Sequence, residues 1–300
     1  MTGQTEPVSP VSPVSPDGDG DGLLRYSAGQ QARLVELGLL AAQLQQQFES
    51  EAERNRCFQS VEKQAVRDNR ARLKLLLSQE RQVALCRLSS CVASALVAAG
   101  FTQVSTPSII PRVYLERMGI DEHHPLCSQI FWQDRGRCLR PMLAPGLYAV
   151  SQQLLGSQSV PVRIFEIGSC FRRESDGQAH LSEFTMLNLV EWGTAIDERQ
   201  SRQRHLIDLV LSAAGLEGCS VIEEDSTVYG TGVDVVDGQG LELASSSLGP
   251  HRLDAAWRID CSWVGVGFGL ERLLMSKSGG GIHRWAKSFT YLDGACLCLR

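Results

Sequence analysis

The chain has 300 residues, 43% of them hydrophobic and 21% charged, with a formal net charge of −5. That length and balance suit one large domain, or one domain with an appendage, around a well-buried core, and give no global push toward nucleic acid. No run nears the roughly 18 apolar residues of a transmembrane helix, and the stretch from Met1 to Asp21 has neither the basic nor the apolar region of a secretory signal.

Residues 1–22 carry a Val-Ser-Pro triplet repeat from Val8 to Pro16 and then an Asp-Gly alternation. Such a segment buries too little apolar surface to offset its ordering entropy, so a disordered tail is predicted. Asp17, Asp19, Asp21 and Gly22 imitate the opening of an EF-hand loop, but Ala28 stands where the bidentate Glu belongs, and the stretch reads as low-complexity sequence. From Ser27 to about Arg81 the periodicity is helical, with an apolar stripe of Leu34, Leu37, Leu40, Ala41 and Leu44. Between Arg54 and Lys74, the residues Arg54, Arg56, Lys63, Arg67, Arg70, Arg72 and Lys74 are opposed only by Glu62 and Asp68. This local excess could meet phosphates, or could be a solvated helix surface. A second helix is predicted from about Gln82 to Ala99, with Leu85, Leu88, Val92 and Leu96 on one face and Gly100 as its stop. Phe101 to Ser105 then alternates like a strand until Pro107.

Further along, strands are predicted at Ile130–Trp132, Val162–Ile167, Met186–Glu191, Val233–Val236, Leu241–Ala244 and Trp263–Gly267. Helices should follow Ala144, Glu198 and Phe268. Strands cluster rather than alternate regularly with helices, which indicates an α+β fold with an antiparallel sheet flanked by helices. The ten cysteines form no C-x-x-C and no Cys/His pair at zinc spacing. Most, such as Cys86 and Cys91, sit in apolar runs, so reduced, buried thiols in a cytoplasmic protein are expected.

The strongest chemical signal is Gly265-Val266-Gly267-Phe268-Gly269-Leu270-Glu271-Arg272. Glycines alternating with apolar residues suit a strand whose backbone a flat ligand can approach. The spacing does not fit the G-x-G-x-x-G dinucleotide loop, because Leu270 or Arg272 stands where the last glycine is needed. The block resembles motif 3 of the class II aminoacyl-tRNA synthetases. Phe171-Arg172-Arg173-Glu174 resembles motif 2, and the helix ending at Gly100 with Phe101 to Pro107 resembles motif 1, the dimer-forming element of that class. Amino-acid activation is attack of a carboxylate on the α-phosphorus of ATP, so positioning and charge neutralisation are needed rather than a covalent nucleophile.

Between these motifs the chain is similar to the pyrrolysyl-tRNA synthetase family, from about Leu34 to its end. The similarity is carried by Cys138 to Pro145, Glu174-Ser175-Asp176-Gly177, Glu183 to Asn188, Val228-Tyr229-Gly230 and Tyr291 to Gly294. The resemblance is to the free-standing catalytic chain of bacteria and implies ATP and magnesium as cofactors. It implies Arg172 and Arg272 as the catalytic cations. ATP would contact Arg172, Glu174, His180, Leu181, Phe184, Glu242, Ser245 and Arg272, with Glu242 and Ser245 also holding magnesium. The amino-acid pocket would be Ala144, Leu147, Tyr148, Ser151, Asn188, Val190, Tyr229, Trp263 and Gly265. There, Asn188 would bond the side-chain amide and Tyr229 would act as a lid.

The same resemblance divides the chain into a tail (1–22), a helical tRNA-contacting appendage (23–81) and a catalytic domain (82–300). The implied partners are a pyrrolysine-type suppressor tRNA and a second copy of the chain in a homodimer, with a separate small tRNA-binding protein either supplying a further domain or dispensed with. Three features depart from the family pattern: Thr231-Gly232 after Tyr229-Gly230, Ser247 near the pocket, and Ser151 in place of a larger apolar residue. Two other readings stay open. One is a catalytically silent paralogue, against which Arg172, Glu174, Glu242 and Arg272 all stand. The other is a synthetase for phenylalanine or another lysine derivative; an apolar ring beside Asn188 would leave that amide unpaired at about 1–3 kcal/mol.

Overall fold

The computed structural model describes residues 23–173, 181–226 and 228–299. The expected tail, with its EF-hand-like start, lies outside the described residues, as do Glu174 and His180. The chain packs as two units, a first that ends at Arg72 and takes in Leu299, and a second from Leu73 to Cys298.

In the first unit, helix α1 (Ala28–Glu36) starts from a capping box in which Ser27 and Gln30 satisfy each other's backbone N–H groups. The helical periodicity read over 27–81 does not give one helix. Gly38 takes φ +100°, a conformation that ends helices, and Leu24 pairs with Phe48 as an isolated bridge. Helix α2 (Glu51–Leu75) then starts afresh. Tyr26, Leu34 and Phe48 form the small core, with the Tyr26 and Phe48 rings edge to face at 4.9 Å. The buried Asn69 of α2 donates to the carbonyls of Leu37 and Ala65 at 2.9 and 2.8 Å. Its partners explain why a polar amide can be buried there.

In the second unit, helix α3 (Ala84–Ala98) is stopped by Gly100 at φ +86°, as its sequence predicts. Strands β1 (Thr102–Gln103) and β2 (Ile109–Pro111), helix α4 (Arg112–Arg117), strand β3 (Arg137–Leu139) and helix α5 (Ala144–Leu155) follow. The long hairpin of β4 (Val162–Phe171) and β5 (Glu183–Trp192) leads to helix α6 (Arg199–Ala214). Next come β6 (Ser220–Ser226), β7 (Gly230–Val236), β8 (Glu242–Gly249), β9 (Trp263–Gly269) and helix α7 (Leu270–Ser278), before a short hairpin of β10 (Tyr291–Leu292) and β11 (Ala295–Cys296). The main sheet has seven strands in the order β1-β4-β5-β9-β8-β7-β6. β1 runs parallel to β4 and every other pair is antiparallel. This is the expected α+β architecture. Ile130–Trp132 is not a strand, and Trp132 makes only an isolated bridge to Cys138.

One face of the sheet carries α3, α6 and α7. Leu88, Val92 and Leu96 of α3 and Leu206, Ile207 and Val210 of α6 pack there on Phe165, Leu187, Leu189, Val264, Val266 and Phe268. At the margin of this face, Glu191 of β5 accepts from Arg163 of β4 at 2.8 Å and from Arg202 of α6 at 2.6 Å. Burial works against its ionisation, but the bonds from Arg163 and Arg202 outweigh it and hold the carboxyl below its usual range. All ten cysteines are free. Cys138, Cys170 and Cys296 are buried, and burial pushes the thiols of Cys138 and Cys170 up to about 11 and about 12. Cys86 and Cys91 are exposed, contrary to the burial expected of them, because they lie on the side of α3 away from Leu88, Val92 and Leu96. Among the described residues no helix is long and apolar enough to cross a membrane.

Candidate active site

The opposite face of the same sheet holds a cavity of about 370 Å³. Strand parity decides which residues reach it. On β5 Leu187 and Leu189 belong to the helix-covered core, so Met186, Asn188, Val190 and Trp192 point the other way and line the cavity. On β9 the residues of the same parity are Trp263, Gly265, Gly267 and Gly269. The register sets Gly267 beside Asn188 on one side and Ser245 on the other, and Gly265 between Val190 and Ser247. A β-carbon on Gly267 would come within 3.2 Å of the Asn188 side chain, and one on Gly249 within 1.9 Å of the Trp263 indole nitrogen. Side chains at these two positions would therefore displace Asn188 and Trp263.

At the charged end the cavity is lined by Arg172, Leu181, Phe184, Asp234, Glu242, Ser245 and Arg272. Arg172 is oriented by two contacts: its Nε donates to the carbonyl of Pro141 at 2.9 Å, and its guanidinium lies 5.2 Å from the centre of the Phe184 ring. Pro141 is itself fixed through Arg140, whose guanidinium is buried against Glu166 at 2.7 Å and also donates to the carbonyls of Thr106 and Ser169. Motif 1, the segment after β3 and the start of motif 2 thus converge on one buried ion pair. Arg272 pairs with Glu242 at 2.9 Å. Beside it Glu271 is buried, with both carboxyl oxygens accepting from the Thr185 N–H at 2.9 Å; burial raises its pKa despite that bond. Asp234 stands opposite Ser245 in the β7–β8 pairing. Its pKa is raised, first by burial and then by the charges of Glu242 and Glu224, against a hydrogen bond with Ser245. Glu242, Asp234 and the Ser245 hydroxyl are hard oxygen donors of the kind a divalent cation takes.

The other end is largely apolar. Ala144, Leu147 and Tyr148 come from α5, Val190 and Trp192 from β5, Trp263 from β9, and Met142, Val228 and Tyr229 from the connecting segments. Tyr148 stacks on Trp257 at 5.5 Å and meets Trp192 edge to face at 5.3 Å. Burial, then the neighbouring Tyr229 and Asp254, push the Tyr148 hydroxyl far above its usual range, and burial does the same for Tyr229. Asn188 is the polar exception in this wall. Its Oδ1 is buried and, among the described residues, has no hydrogen-bond partner. A buried amide oxygen without a partner costs about 1–3 kcal/mol, a cost that a donor on a bound molecule would remove.

The arrangement brings together all the described residues named from sequence except Ser151. Ser151 lies behind the wall, fully buried, accepting from the Trp192 indole N–H at 2.7 Å, so it can reach the cavity only through Trp192. The cavity also takes in residues that the sequence does not single out as site residues, among them Met142 and Trp192 in the wall and Asp234 among the charged groups. An acidic residue inside an otherwise apolar strand, Gly-Val-Asp-Val-Val, was the available signal for Asp234.

Residues 71–213 match the family described as "Phenylalanyl tRNA synthetase beta chain CLM domain". Threonine–tRNA ligases match more narrowly. That of Methylobacillus flagellatus is 32% identical over 83 residues, 27% of this chain and 13% of that protein. That of Treponema pallidum is likewise 32% identical over 83 residues, with 14% of its length covered. The chain therefore spans about a seventh of these curated relatives. A crystal structure of pyrrolysyl-tRNA synthetase from Desulfitobacterium hafniense is similar over nearly everything, at 45% identity and a TM-score of 0.87, covering 92% of this chain and 99% of that one. A second structure of that organism's pyrrolysyl-tRNA synthetase, PylSc, has 45% identity and a TM-score of 0.85, with 91% and 98% covered. The chain belongs to the pyrrolysyl-tRNA synthetase family. Membership in the pyrrolysyl-tRNA synthetase family accounts for Arg172 of motif 2 and Arg272 of motif 3 lining one end of the cavity, and for the largely apolar lining of the other.

Proposed function

We propose that the chain is an ATP-dependent aminoacyl-tRNA ligase that activates pyrrolysine and transfers it to the 3′ end of its cognate tRNA. The observation that carries this reading is the division of one cavity into an end with two arginines and an apolar end that contains a single unpartnered amide, Asn188. A lysine-derived side chain capped by an amide-linked ring matches both parts of that apolar end. Leu147, Tyr148, Val190 and Trp263 would surround its carbon chain, and Asn188 would bond its amide.

Activation forms a bond from the amino-acid carboxylate oxygen to the α-phosphorus and breaks the bond to pyrophosphate. No side chain needs to be acylated or phosphorylated. Arg172 would bridge the carboxylate and the α-phosphate, and Arg272 the γ-phosphate, so that charge developing on phosphorus meets fixed cations. Phe184 would stack on the adenine. Magnesium, when bound, supplies further neutralisation of the phosphate charge, and Glu242 and Ser245, with Asp234 beside them, are the residues suited to hold it. Glu174 and His180 would complete the ATP contacts.

The appendage is read as the tRNA-contacting part. Arg56, Lys63, Arg67 and Arg70 are exposed on α2, and at about 100° per residue their spacing puts them on one side of the helix. A homodimer in the cytoplasm is proposed, supported by exposed Val97, Cys86 and Cys91 on α3, the helix of the dimer motif. A separate small tRNA-binding protein is a further candidate partner, tested by its effect on aminoacylation rate.

Amino-acid-dependent exchange of pyrophosphate into ATP, run with pyrrolysine, phenylalanine and lysine, tests the reading. Exchange with pyrrolysine is expected. Exchange with phenylalanine alone would refute the substrate, and no exchange with any of the three would favour a silent paralogue.

A further inference from the structure

Behind the amino-acid end of the cavity lies a carboxyl group that does not line it. Asp254 begins the short 3-10 turn Asp254–Trp257 and is 3% exposed. Its Oδ1 accepts from the Tyr148 hydroxyl at 2.8 Å. Its Oδ2 accepts from the Trp263 indole N–H at 2.8 Å and from the His251 backbone N–H at 2.6 Å. Among the described residues it makes no salt bridge, so these neutral donors are what the side chain serves.

The donors share a second property. Tyr148 and Trp263 are walls of the cavity, and Tyr229 touches the side chains of all three. Its ring is 5.9 Å from that of Trp263 and 5.5 Å from that of His251, edge-on to both, and its hydroxyl bonds that of Tyr148. The two cavity walls that Tyr229 rests against, Tyr148 and Trp263, are therefore anchored to one buried side chain that does not line the cavity, and the same carboxyl holds the His251 backbone. The anchorage also fixes orientation. The indole of Trp263 lies over Gly249 with no room for a β-carbon, and the bond from its Nε1 to Asp254 selects which edge of the ring points inward.

We propose that Asp254 is a positioning residue for amino-acid recognition, holding Tyr148, Trp263 and the His251 segment as the seat on which Tyr229 closes. The proposal rests on the reading of this cavity as an amino-acid site, and it predicts an effect confined to the amino acid. Asp254 has no contact with Arg172, Arg272, Glu242 or Phe184, so ATP binding should not feel its loss. An amide keeps one acceptor oxygen and could donate to the Tyr148 oxygen, whose own proton can turn to Tyr229; an alanine leaves the Trp263 indole N–H and the His251 N–H without their acceptor.

The test compares wild type, Asp254→Asn and Asp254→Ala in pyrophosphate exchange, with near- and far-ultraviolet circular dichroism of each protein recorded without substrates. Expected for Asp254→Ala is a rise of tenfold or more in KM for pyrrolysine with KM for ATP within twofold. Asp254→Asn should raise the amino-acid KM about threefold, and it carries the test if the alanine variant does not fold. In both, the near-ultraviolet signal of the Tyr148–Trp257–Trp263 cluster should change while the far-ultraviolet spectrum stays the same. An unchanged amino-acid KM in Asp254→Asn with an unchanged near-ultraviolet spectrum would overturn the proposal. So would parallel changes in the ATP and amino-acid constants, which would mark a merely structural role. If wild type supports no exchange with pyrrolysine, the substrate assignment fails instead, and the near-ultraviolet comparison still decides whether Asp254 orders the cluster.

Discussion

Leu187 and Asn188 are consecutive on β5 and face opposite ways. Leu187 points into hydrocarbon beneath α3, α6 and α7, where its neighbours are leucines, valines and phenylalanines. Asn188 points into the cavity, where its neighbours are glycines, aromatic rings and charged groups, and where its own amide oxygen lacks a partner. The same contrast runs along β9, with Val264, Val266 and Phe268 against Trp263, Gly265 and Gly267. One face is covered by closely packed apolar side chains and holds the fold together. The other gives up packing, through its glycines and its orphaned amide, for a space of the right chemistry. Stability and recognition are thus separated by parity on shared strands.

Neighbouring substitutions should therefore have unlike consequences. The largest effect is expected for Leu187→Ala, which should lower unfolding free energy by about 2–5 kcal/mol in urea titrations, while the residual folded enzyme keeps its KM values. A change in pyrrolysine KM of tenfold or more would break the comparison. Arg172→Ala on the functional face should leave the unfolding midpoint nearly unchanged and lower the exchange rate by about 10²–10³-fold, the scale seen when one charge-stabilising donor is lost. Asn188→Ala should reduce the preference for pyrrolysine over phenylalanine by about 1–3 kcal/mol, with ATP binding by calorimetry nearly intact. Because the lost amide oxygen has no partner, this variant should be as stable as wild type or slightly more so. A clear loss of stability would show that Asn188 also supports the fold.

The smallest effect concerns pH. Arg163 and Arg202 hold the Glu191 carboxyl below its ordinary value of 4.5. A depressed acid contributes stability that is complete above its unfolded pKa and is lost as pH falls through the folded one. Melting temperature should therefore drop between about pH 5 and pH 3, and the drop should be shallower in Glu191→Gln. An unaltered slope in that variant would assign the acid sensitivity to other carboxyl groups.

Much of the functional face could be read from residue order alone. The alternating glycines of Gly265 to Gly269 and the arginines at 172 and 272 are local patterns, and they come together because strands β4, β5 and β9 are neighbours. Helix stops were also legible, since Gly100 takes the left-handed conformation its position suggested. What stayed hidden depends on contacts made at long range. Asp254 sits in a single 3-10 turn with no periodicity to mark it, and its partners are 106 residues away at Tyr148 and 9 away at Trp263. Ser151 has the helical spacing of a pocket residue, yet Trp192 stands between it and the cavity. Strand β6 is not legible in the sequence because its Glu223-Glu224 pair at the sheet edge breaks the apolar alternation. The break at Gly38 is masked in the sequence because the leucines on either side continue a helical rhythm.

Gly249 and Trp263 are directly paired on β8 and β9, and the indole occupies the volume any β-carbon at 249 would need. In the language of evolution this is sign epistasis. A larger residue at position 249 is deleterious while the tryptophan remains, and becomes admissible once position 263 has been trimmed. A lineage, or a mutant library, seeking a different side-chain preference would thus have to pass through 263 before 249. Libraries that randomise Gly249 alone should return almost nothing but glycine.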